Sequence, residues 1–316
     1  MRVDAVLWNI RVDAATAEVV VALREAGIDS VVLKGPALTD WYPADSTRTY
    51  VDGDVWVSPS DGEQAEATLA GLGFVAKVDE SGMPDWWQEH ASSWRREVDA
   101  VSIDLHRKLQ GFGAVPARVW ARLWPDCEPM QLAGREVMRL SEPARVLYAT
   151  IHTAHHGVQN SLAQRHLNAA LRSVNEPAWR AATGLAWELD ATEMFGAGLR
   201  LVPEGARLAD VLGLPASQSV QTALLAMSPP PVALGFEQLA NASLSDRARI
   251  VLRKVVPPRG FVRHWWPPAA RSGWMLVAGY AYRPIWLLLR APAGYRAWRS
   301  ARRDVARQRR DASNSR

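Results

Sequence analysis

Short apolar runs alternate with helical periodicity over the first 115 residues. Apolar positions across residues 3–26 recur at helical spacing and stop at Gly27, which predicts a helix. The run SVVL at residues 30–33 predicts a buried strand, and Pro36 is suited to open one or two helical turns after it. Three further elements are predicted: a strand over 50–57, a capped helix from Ser60 with Ala65, Leu69 and Leu72 on one side, and a strand over 98–106.

Longer Ala- and Leu-rich segments with helical spacing follow from about residue 116 to about residue 250. The pattern therefore predicts an α+β protein: a small mixed β-sheet with helices on one face, followed by an α-helical domain. We expect three parts, namely a catalytic-type domain at 1–115, a helical domain at 116–254 and a Trp-, Pro- and Arg-rich extension at 255–316.

The extension carries the basic character of the chain. Residues 259–316 hold 13 arginines and two acids, a net charge of +11, so the remainder of the chain carries −7. The acidic first domain disfavours a long nucleic-acid path over its surface, although a nucleic-acid partner stays open. Two apolar stretches, 273–282 and 285–289, are split at Arg283-Pro284, and neither reaches the roughly 20 residues of a transmembrane span.

Three interpretations of the extension stay open. Its aromatics and arginines fit an anchor on a membrane surface, a contact with RNA or another acidic partner, or a helical hairpin that caps the second domain. The pattern favours the hairpin for 255–298. The single cysteine, Cys127, excludes an internal disulfide, and the N-terminal residues show no signal-peptide pattern, so we expect a cytoplasmic protein.

The segment TYVDGDVWV at 49–57 places two carboxylates on an apolar strand. Alternation sends Val51, Gly53, Val55 and Val57 to one face, and Asp52, Asp54 and Trp56 to the other. Two like charges that close repel each other, and a divalent cation would compensate them. Asp-Gly is also a common turn, so a hairpin tip is the alternative.

A second strand carries a third carboxylate. In VSIDLHRKL, alternation puts Asp104 and His106 on the face opposite Val101, Ile103 and Leu105. If the two strands are neighbours, three carboxylates converge, which suffices for two Mg²⁺ ions about 4 Å apart, as in phosphoryl transfer.

The turn after the first predicted strand offers a phosphate site. Lys34 supplies a point charge, Gly35 lets the backbone approach closely, and Arg48 adds a planar fork for phosphate oxygens. Each feature alone is common, whereas this order and spacing of all of them is not.

This arrangement resembles the DNA polymerase β-type nucleotidyltransferase superfamily. More closely, LKGPALTDWYPADSTRTYVDGDVWV followed by VSIDLHRKL resembles an uncharacterised bacterial nucleotidyltransferase family over about residues 28–109. The resemblance implies Mg²⁺-dependent transfer of a nucleoside monophosphate from an NTP such as ATP to an unidentified acceptor: a small molecule, a peptide or protein, or RNA. It also implies that Asp52, Asp54 and Asp104 are the catalytic metal ligands and that Lys34-Gly35 is the phosphate turn.

One departure from the superfamily pattern concerns the turn. Its usual Gly-Ser is Gly35-Pro36 here, which removes a hydroxyl and an N–H from the phosphate site. The alternative function is therefore an inactive module on the same fold that binds a nucleotide or a partner.

A histidine cluster lies downstream, in IHTAHHGV. Helical spacing puts His152 on the same face as His155 or His156, which suits either zinc or an interface between helices. The pattern favours the interface. We interpret His106, His152 and His155 as candidate contacts in the nucleotide cleft.

Overall fold

The computed structural model describes residues 2–43, 50–78, 83–84, 91–215 and 219–314. The chain divides into two compact units. The first unit comprises 1–77, 89–153 and 160–214, and the second comprises 78–88, 154–159 and 215–316. The three-part division expected from the sequence stays a prediction.

The first unit contains one mixed sheet, which has seven strands among the described residues. Their bounds are β1 Ser30–Val32, β2 Asp52–Val57, β3 Val75–Ala76, β4 Ala91–Arg95, β5 Ser102–His106, β6 Glu128–Leu132 and β7 Arg135–Arg139. The order across the sheet is β3-β4-β5-β2-β1-β7-β6. Strand β2 is parallel to β5 and antiparallel to β1, so the two acid-bearing strands are neighbours.

Helices cover the sheet and continue into the second unit. The helices of the first unit are α1 Arg2–Glu25, α2 Gly62–Gly71, α3 Pro116–Leu123, α4 Glu142–His156, α5 Ser161–Ser173, α6 Glu176–Glu188, α7 Thr192–Leu199 and α8 Pro203–Val211. The last three residues of α4 belong to the second unit. Those of the second are α9 Val220–Ala226, α10 Ala233–Asn241, α11 Leu244–Val255, α12 Arg259–Trp265 and α13 Gly273–Asn314. The predicted α+β class is confirmed.

Helix α1 packs on the sheet through its buried aliphatic face. Val12, Val19 and Leu23 join a core with Val55 of β2 and Ile103 of β5. This burial on one sheet face is what the alternation on β2 and β5 predicts, because period-two apolar positions share a side. Val51 is an exception: it precedes the first residue of β2 and is 71% exposed, so its predicted place in the core is wrong.

A β-hairpin interrupts the region predicted to be helical. Strands β6 and β7 are joined at Ala133-Gly134, where both residues have positive φ (48° and 73°). A two-residue turn of this kind normally carries Asn-Gly or Asp-Gly. The alanine removes that sequence signal, which is why the hairpin escaped prediction.

In the extension, α12 is followed by one long helix, α13, which covers both of the apolar stretches predicted from the sequence. Helix α13 continues through Pro284 and Pro292 for 42 residues, so the predicted break at Arg283-Pro284 is wrong. Buried Arg283 stabilises this region: its Nε donates to the carbonyl of Lys254 at 3.2 Å, and its guanidinium lies 4.4 Å from the Trp265 ring. In the part of the chain that the structure describes, no helix combines the length and apolarity that crossing a bilayer requires.

The predicted cap of α2 is also wrong. Asp61 occupies the N-cap position, but its side chain makes no capping hydrogen bond. The Ser60 hydroxyl instead lies 2.7 Å from that of Ser58 and donates to Asp61 Oδ1 at 3.0 Å.

Gly53 is required by the packing of α1 on β2. A β-carbon added at Gly53 would overlap the Thr16 hydroxyl and lie 2.9 Å from Ile103 Cδ1. We expect Gly53→Ala to lower the free energy of unfolding by about 1–3 kcal/mol through overpacking, measured by urea denaturation.

A glycine in open space provides the control. Gly184 lies exposed within α6, and an added β-carbon there meets nothing within 4 Å. Gly184→Ala should raise stability by roughly 0.5–1 kcal/mol. Combining Gly53→Ala with Thr16→Ala should recover part of the loss, and no recovery would mean that Thr16 is not the cause.

Candidate active site

Strand pairing brings the three predicted carboxylates together. Asp54 on β2 and Asp104 on β5 are direct register partners across the parallel pair. Asp52 lies two residues before Asp54 and therefore faces the same side of the sheet. The convergence rests on backbone register, which makes it a fixed property of the sheet.

Asp54 is buried and is held by two basic side chains. Its Oδ1 lies 2.7 Å from Lys34 Nζ and 2.9 Å from His106 Nε2, and its side chain is only 6% exposed. Burial acts to raise the pKa of Asp54, but the charge of Lys34 and the hydrogen bond from His106 outweigh burial and hold that pKa well below its usual range. Asp54 is therefore ionised at any physiological pH.

Lys34 is the cation of this cluster. Burial opposes its charge, but the attraction of Asp54 is stronger, and the pKa of Lys34 is raised above its ordinary value. His152 Nε2 lies 3.4 Å from Lys34 Nζ, and Tyr148 is close enough to raise the pKa of Lys34 further. Lys34 thus contacts α4 as well as β2.

The pKa of Asp52 shows the effect of burial and of the neighbouring negative charges. This pKa is raised to about 6, first by burial and then by the neighbouring charges of Asp54 and Asp104, against a smaller opposing effect of Lys34. This is the like-charge repulsion expected of carboxylates that share a site.

Asp104 is oriented from its other side by Ser93. Ser93 on β4 is the register partner of Asp104, and its hydroxyl donates to Asp104 Oδ1 at 2.6 Å. Ser93 was not among the predicted residues, because the sequence pattern did not identify β4 as a strand. Tyr148 was also missed, because a tyrosine on an apolar helix face gives no signal of its own.

The predicted phosphate turn has a conformation that favours glycine. Gly35 has φ +57°, and a β-carbon there would lie 3.4 Å from the Tyr50 ring. A seven-residue 3₁₀ helix, Gly35–Trp41, begins at this turn. Pro36 has no N–H to offer, and Arg48 lies outside the described residues.

The candidate histidines separate into two groups. His106 and His152 belong to the carboxylate–lysine cluster, and His106 is 1% exposed. His155 belongs to the second unit, where its ring centroid lies 5.7 Å from that of His156. Burial and the neighbouring His156 lower the pKa of His155 to about 4, so it is neutral at physiological pH.

The donor set fits a hard divalent cation that is bound together with a substrate. Among the described residues no three His, Cys, Asp or Glu side chains form a preassembled metal cage, and Asp54 Oδ1 is directed to Lys34 and His106. Mg²⁺ typically takes one or two carboxylates together with waters and substrate phosphates. Such a cation would reduce the repulsion between Asp52 and the charges of Asp54 and Asp104.

Comparison with known proteins identifies the class. Residues 2–205 match the family described as uncharacterised nucleotidyltransferase, and the chain belongs to that family. The predicted family is thereby confirmed. No curated protein matches the chain.

Similar solved structures include three nucleotidyltransferase-related proteins. The antibiotic-resistance factor ANT(2'')-Ia is 14% identical, with a TM-score of 0.39, over 57% of this chain and 96% of its own. The lincosamide antibiotic adenylyltransferase LnuA with lincomycin is 13% identical, with a TM-score of 0.33, over 48% and 91%. An antigenic nucleotidyltransferase-like protein from Paracoccidioides brasiliensis is 12% identical, with a TM-score of 0.33, over 58% and 92%. At this level of similarity they carry no information about substrate.

The raised pKa of Asp52 predicts a pH-dependent stability effect. The folded state holds this proton up to about pH 6, whereas the unfolded chain releases it near 3.8, so ionised Asp52 destabilises the fold above that window. At pH 8, Asp52→Asn should therefore unfold with a free energy higher than wild type by about 1–2 kcal/mol after allowance for solvent screening.

The difference between the two proteins should shrink as the pH falls below 6 and vanish at about pH 3, below the unfolded-state pKa of 3.8, where Asp52 is protonated in both states. Urea unfolding at both pH values, with chelator present, measures it. Asp126→Asn, at an exposed aspartate paired with Arg122, is the matched control and should show no such gain. If Asp52→Asn and the wild type have the same free energy of unfolding at pH 8, ionised Asp52 does not destabilise the fold.

Proposed function

We propose that the protein is a Mg²⁺-dependent nucleotidyltransferase that moves a nucleoside monophosphate from an NTP to an acceptor. One observation carries the proposal: Asp54 and Asp104 stand opposite each other on adjacent parallel strands, with Asp52 two residues before Asp54 on the same face. Burial, and then the charges of Asp54 and Asp104, raise the pKa of Asp52 to about 6. Membership of a nucleotidyltransferase family supports the same chemistry.

Asp52, Asp54 and Asp104 are the residues that would hold Mg²⁺. Bound there with the NTP, the cation supplies charge neutralisation at the phosphates undergoing transfer. His106 and Ser93 position the carboxylates of Asp54 and Asp104 through their hydrogen bonds. Such outer contacts fix the direction in which a ligand oxygen points.

Lys34 has a role on the substrate side. Its side chain is 21% exposed, and an ammonium group has three N–H donors, so Lys34 can donate to a polyphosphate oxygen while it keeps its ion pair with Asp54. A charged donor placed at a phosphate oxygen stabilises the negative charge that develops on transfer. The ion pair with Asp54 keeps Lys34 in place before the nucleotide arrives.

The reaction joins an acceptor oxygen to the α-phosphorus and breaks the bond to the bridging oxygen of the β-phosphate. Pyrophosphate leaves with the bridging oxygen, and the proton of the acceptor hydroxyl passes to the departing pyrophosphate or to water. The acceptor class stays open between a small molecule, a peptide or protein, and RNA. The acidic charge of the chain outside 259–316 favours an acceptor other than a long nucleic acid.

A binding module without chemistry is the second candidate. Pro36 favours it, because proline leaves the turn after Gly35 with one backbone donor fewer for a phosphate. NTP binding in the presence of Mg²⁺ without release of pyrophosphate, across acceptor pools from the native cell, would favour the module.

Neutralising the carboxylates should abolish transfer. We expect Asp52→Asn, Asp54→Asn and Asp104→Asn each to lower Mg²⁺-dependent pyrophosphate release by at least about 100-fold, since each removes charge from the proposed cation site. The measurement uses labelled NTP with a lysate of the native host as the source of acceptor.

Asp126→Asn is again the control and should keep wild-type activity. Thermal melting must show that each variant is folded. Full pyrophosphate release by folded Asp52→Asn and Asp104→Asn would refute the proposed function.

A further inference from the structure

Helix α13 belongs to the second unit. One face of this helix is buried and the opposite face is exposed, on both sides of Pro284 and Pro292. Buried positions recur at helical spacing and include Gly279, Arg283, Gly294, Ala301 and Val305. Ala301 packs with Leu224 of α9 and Ala233 of α10 in a small apolar core. The exposed residues on the other side therefore form one continuous face rather than scattered positions.

The first half of that face is aliphatic and aromatic. Trp274, Val277, Ile285, Leu288 and Leu289 are between 53% and 85% exposed. Single exposed apolar side chains are ordinary, but a row of them along about 22 Å of one helix is a contact surface.

The second half is a groove lined by arginines. Its lining consists of Tyr295, Trp298, Arg299, Arg302, Arg303, Ala306, Arg307 and Arg310. No acidic side chain is part of that lining among the described residues. Trp298 lies on the α10 side of this groove: its Nε1 donates to Glu237 Oε2 at 2.6 Å, and the guanidinium of Arg302 lies 5.2 Å from the centroid of its ring.

We propose that this face of α13 docks along an anionic lipid bilayer. Aliphatic side chains enter the boundary between headgroups and acyl chains, Trp274 and Tyr295 lie at headgroup level, and the arginines bind lipid phosphates. The row of aliphatic side chains favours lipid over RNA. Valine, isoleucine and leucine cannot stack on bases as aromatic residues do, so an RNA would engage the arginines and leave Leu288 and Leu289 in water.

Flotation of the full-length chain with vesicles tests the proposal. The chain should float with phosphatidylcholine vesicles that contain about 30% phosphatidylglycerol, and should float much less with phosphatidylcholine alone. Raising the salt to about 0.5 M should weaken but not abolish flotation, because the apolar contribution is not screened.

Two double variants test the apolar half and the basic half of this face separately. Leu288→Gln with Leu289→Gln should weaken vesicle binding about tenfold or more by removing apolar insertion. Arg303→Gln with Arg307→Gln should weaken it roughly twentyfold and should reduce its dependence on salt. Glutamine is a good helix former, and circular dichroism verifies that α13 is intact in both.

Matched controls come from the first unit. Val211→Gln and Arg207→Gln change exposed residues of α8 and should bind vesicles like wild type. Pyrophosphate release, if present, should be unchanged in all of these variants, so failure of this proposal is distinguishable from failure of the proposed function.

Two outcomes would overturn the proposal. One is an absence of flotation with phosphatidylglycerol vesicles. The other is a pair of results. Poly(U) binds tightly, and its binding depends on Arg303 and Arg307. The Leu288→Gln, Leu289→Gln double variant changes neither poly(U) binding nor vesicle binding. That second outcome would assign the face to RNA.

Discussion

The candidate site depends on the buried ion pair between Lys34 and Asp54. A carboxylate that is 6% exposed is strongly disfavoured unless it is compensated, and Lys34 at 2.7 Å with His106 at 2.9 Å supplies the compensation. Lys34 lies two residues after the end of β1, Asp54 lies on β2, and His106 is the last residue of β5. The pair therefore requires the central strand order β5-β2-β1, and that order in turn aligns Asp54 with Asp104.

The same arrangement leaves one carboxylate without sufficient compensation. The charge of Lys34 and the hydrogen bond with His106 compensate Asp54, and Ser93 offers Asp104 a hydrogen bond without charge. Asp52 is then exposed to the repulsion of both neighbours, which together with burial raises its pKa to about 6. Binding sites commonly retain such strain, because the ligand that relieves it is bound more tightly for that reason.

Much of this site could be predicted from sequence. Alternation on 50–57 and 98–106 predicted which acids share a face, and the structure makes Asp54 and Asp104 register partners, with Asp52 opposite Ser102. That Lys34 pairs with Asp54 could not be predicted, because the contact depends on the antiparallel pairing of β1 with β2. Ser93 was missed because its strand, ASSWR, has neither the β-branched residues nor the alternation that marks β2 and β5. The hairpin of β6 and β7 was missed because its turn carries alanine at a position where asparagine or aspartate is usual.

Electron paramagnetic resonance of free Mn²⁺ measures whether these carboxylates hold a divalent cation. Mn²⁺ is titrated into the protein in the presence of a non-hydrolysable NTP analogue. Mn²⁺ replaces Mg²⁺ at oxygen sites, and binding does not require the acceptor. If Asp52 and Asp104 are cation ligands, Mn²⁺ binding is saturable in the wild type, lost in Asp52→Asn and Asp104→Asn, and kept in Asp126→Asn. Binding that is equally tight in all four proteins would contradict that assignment.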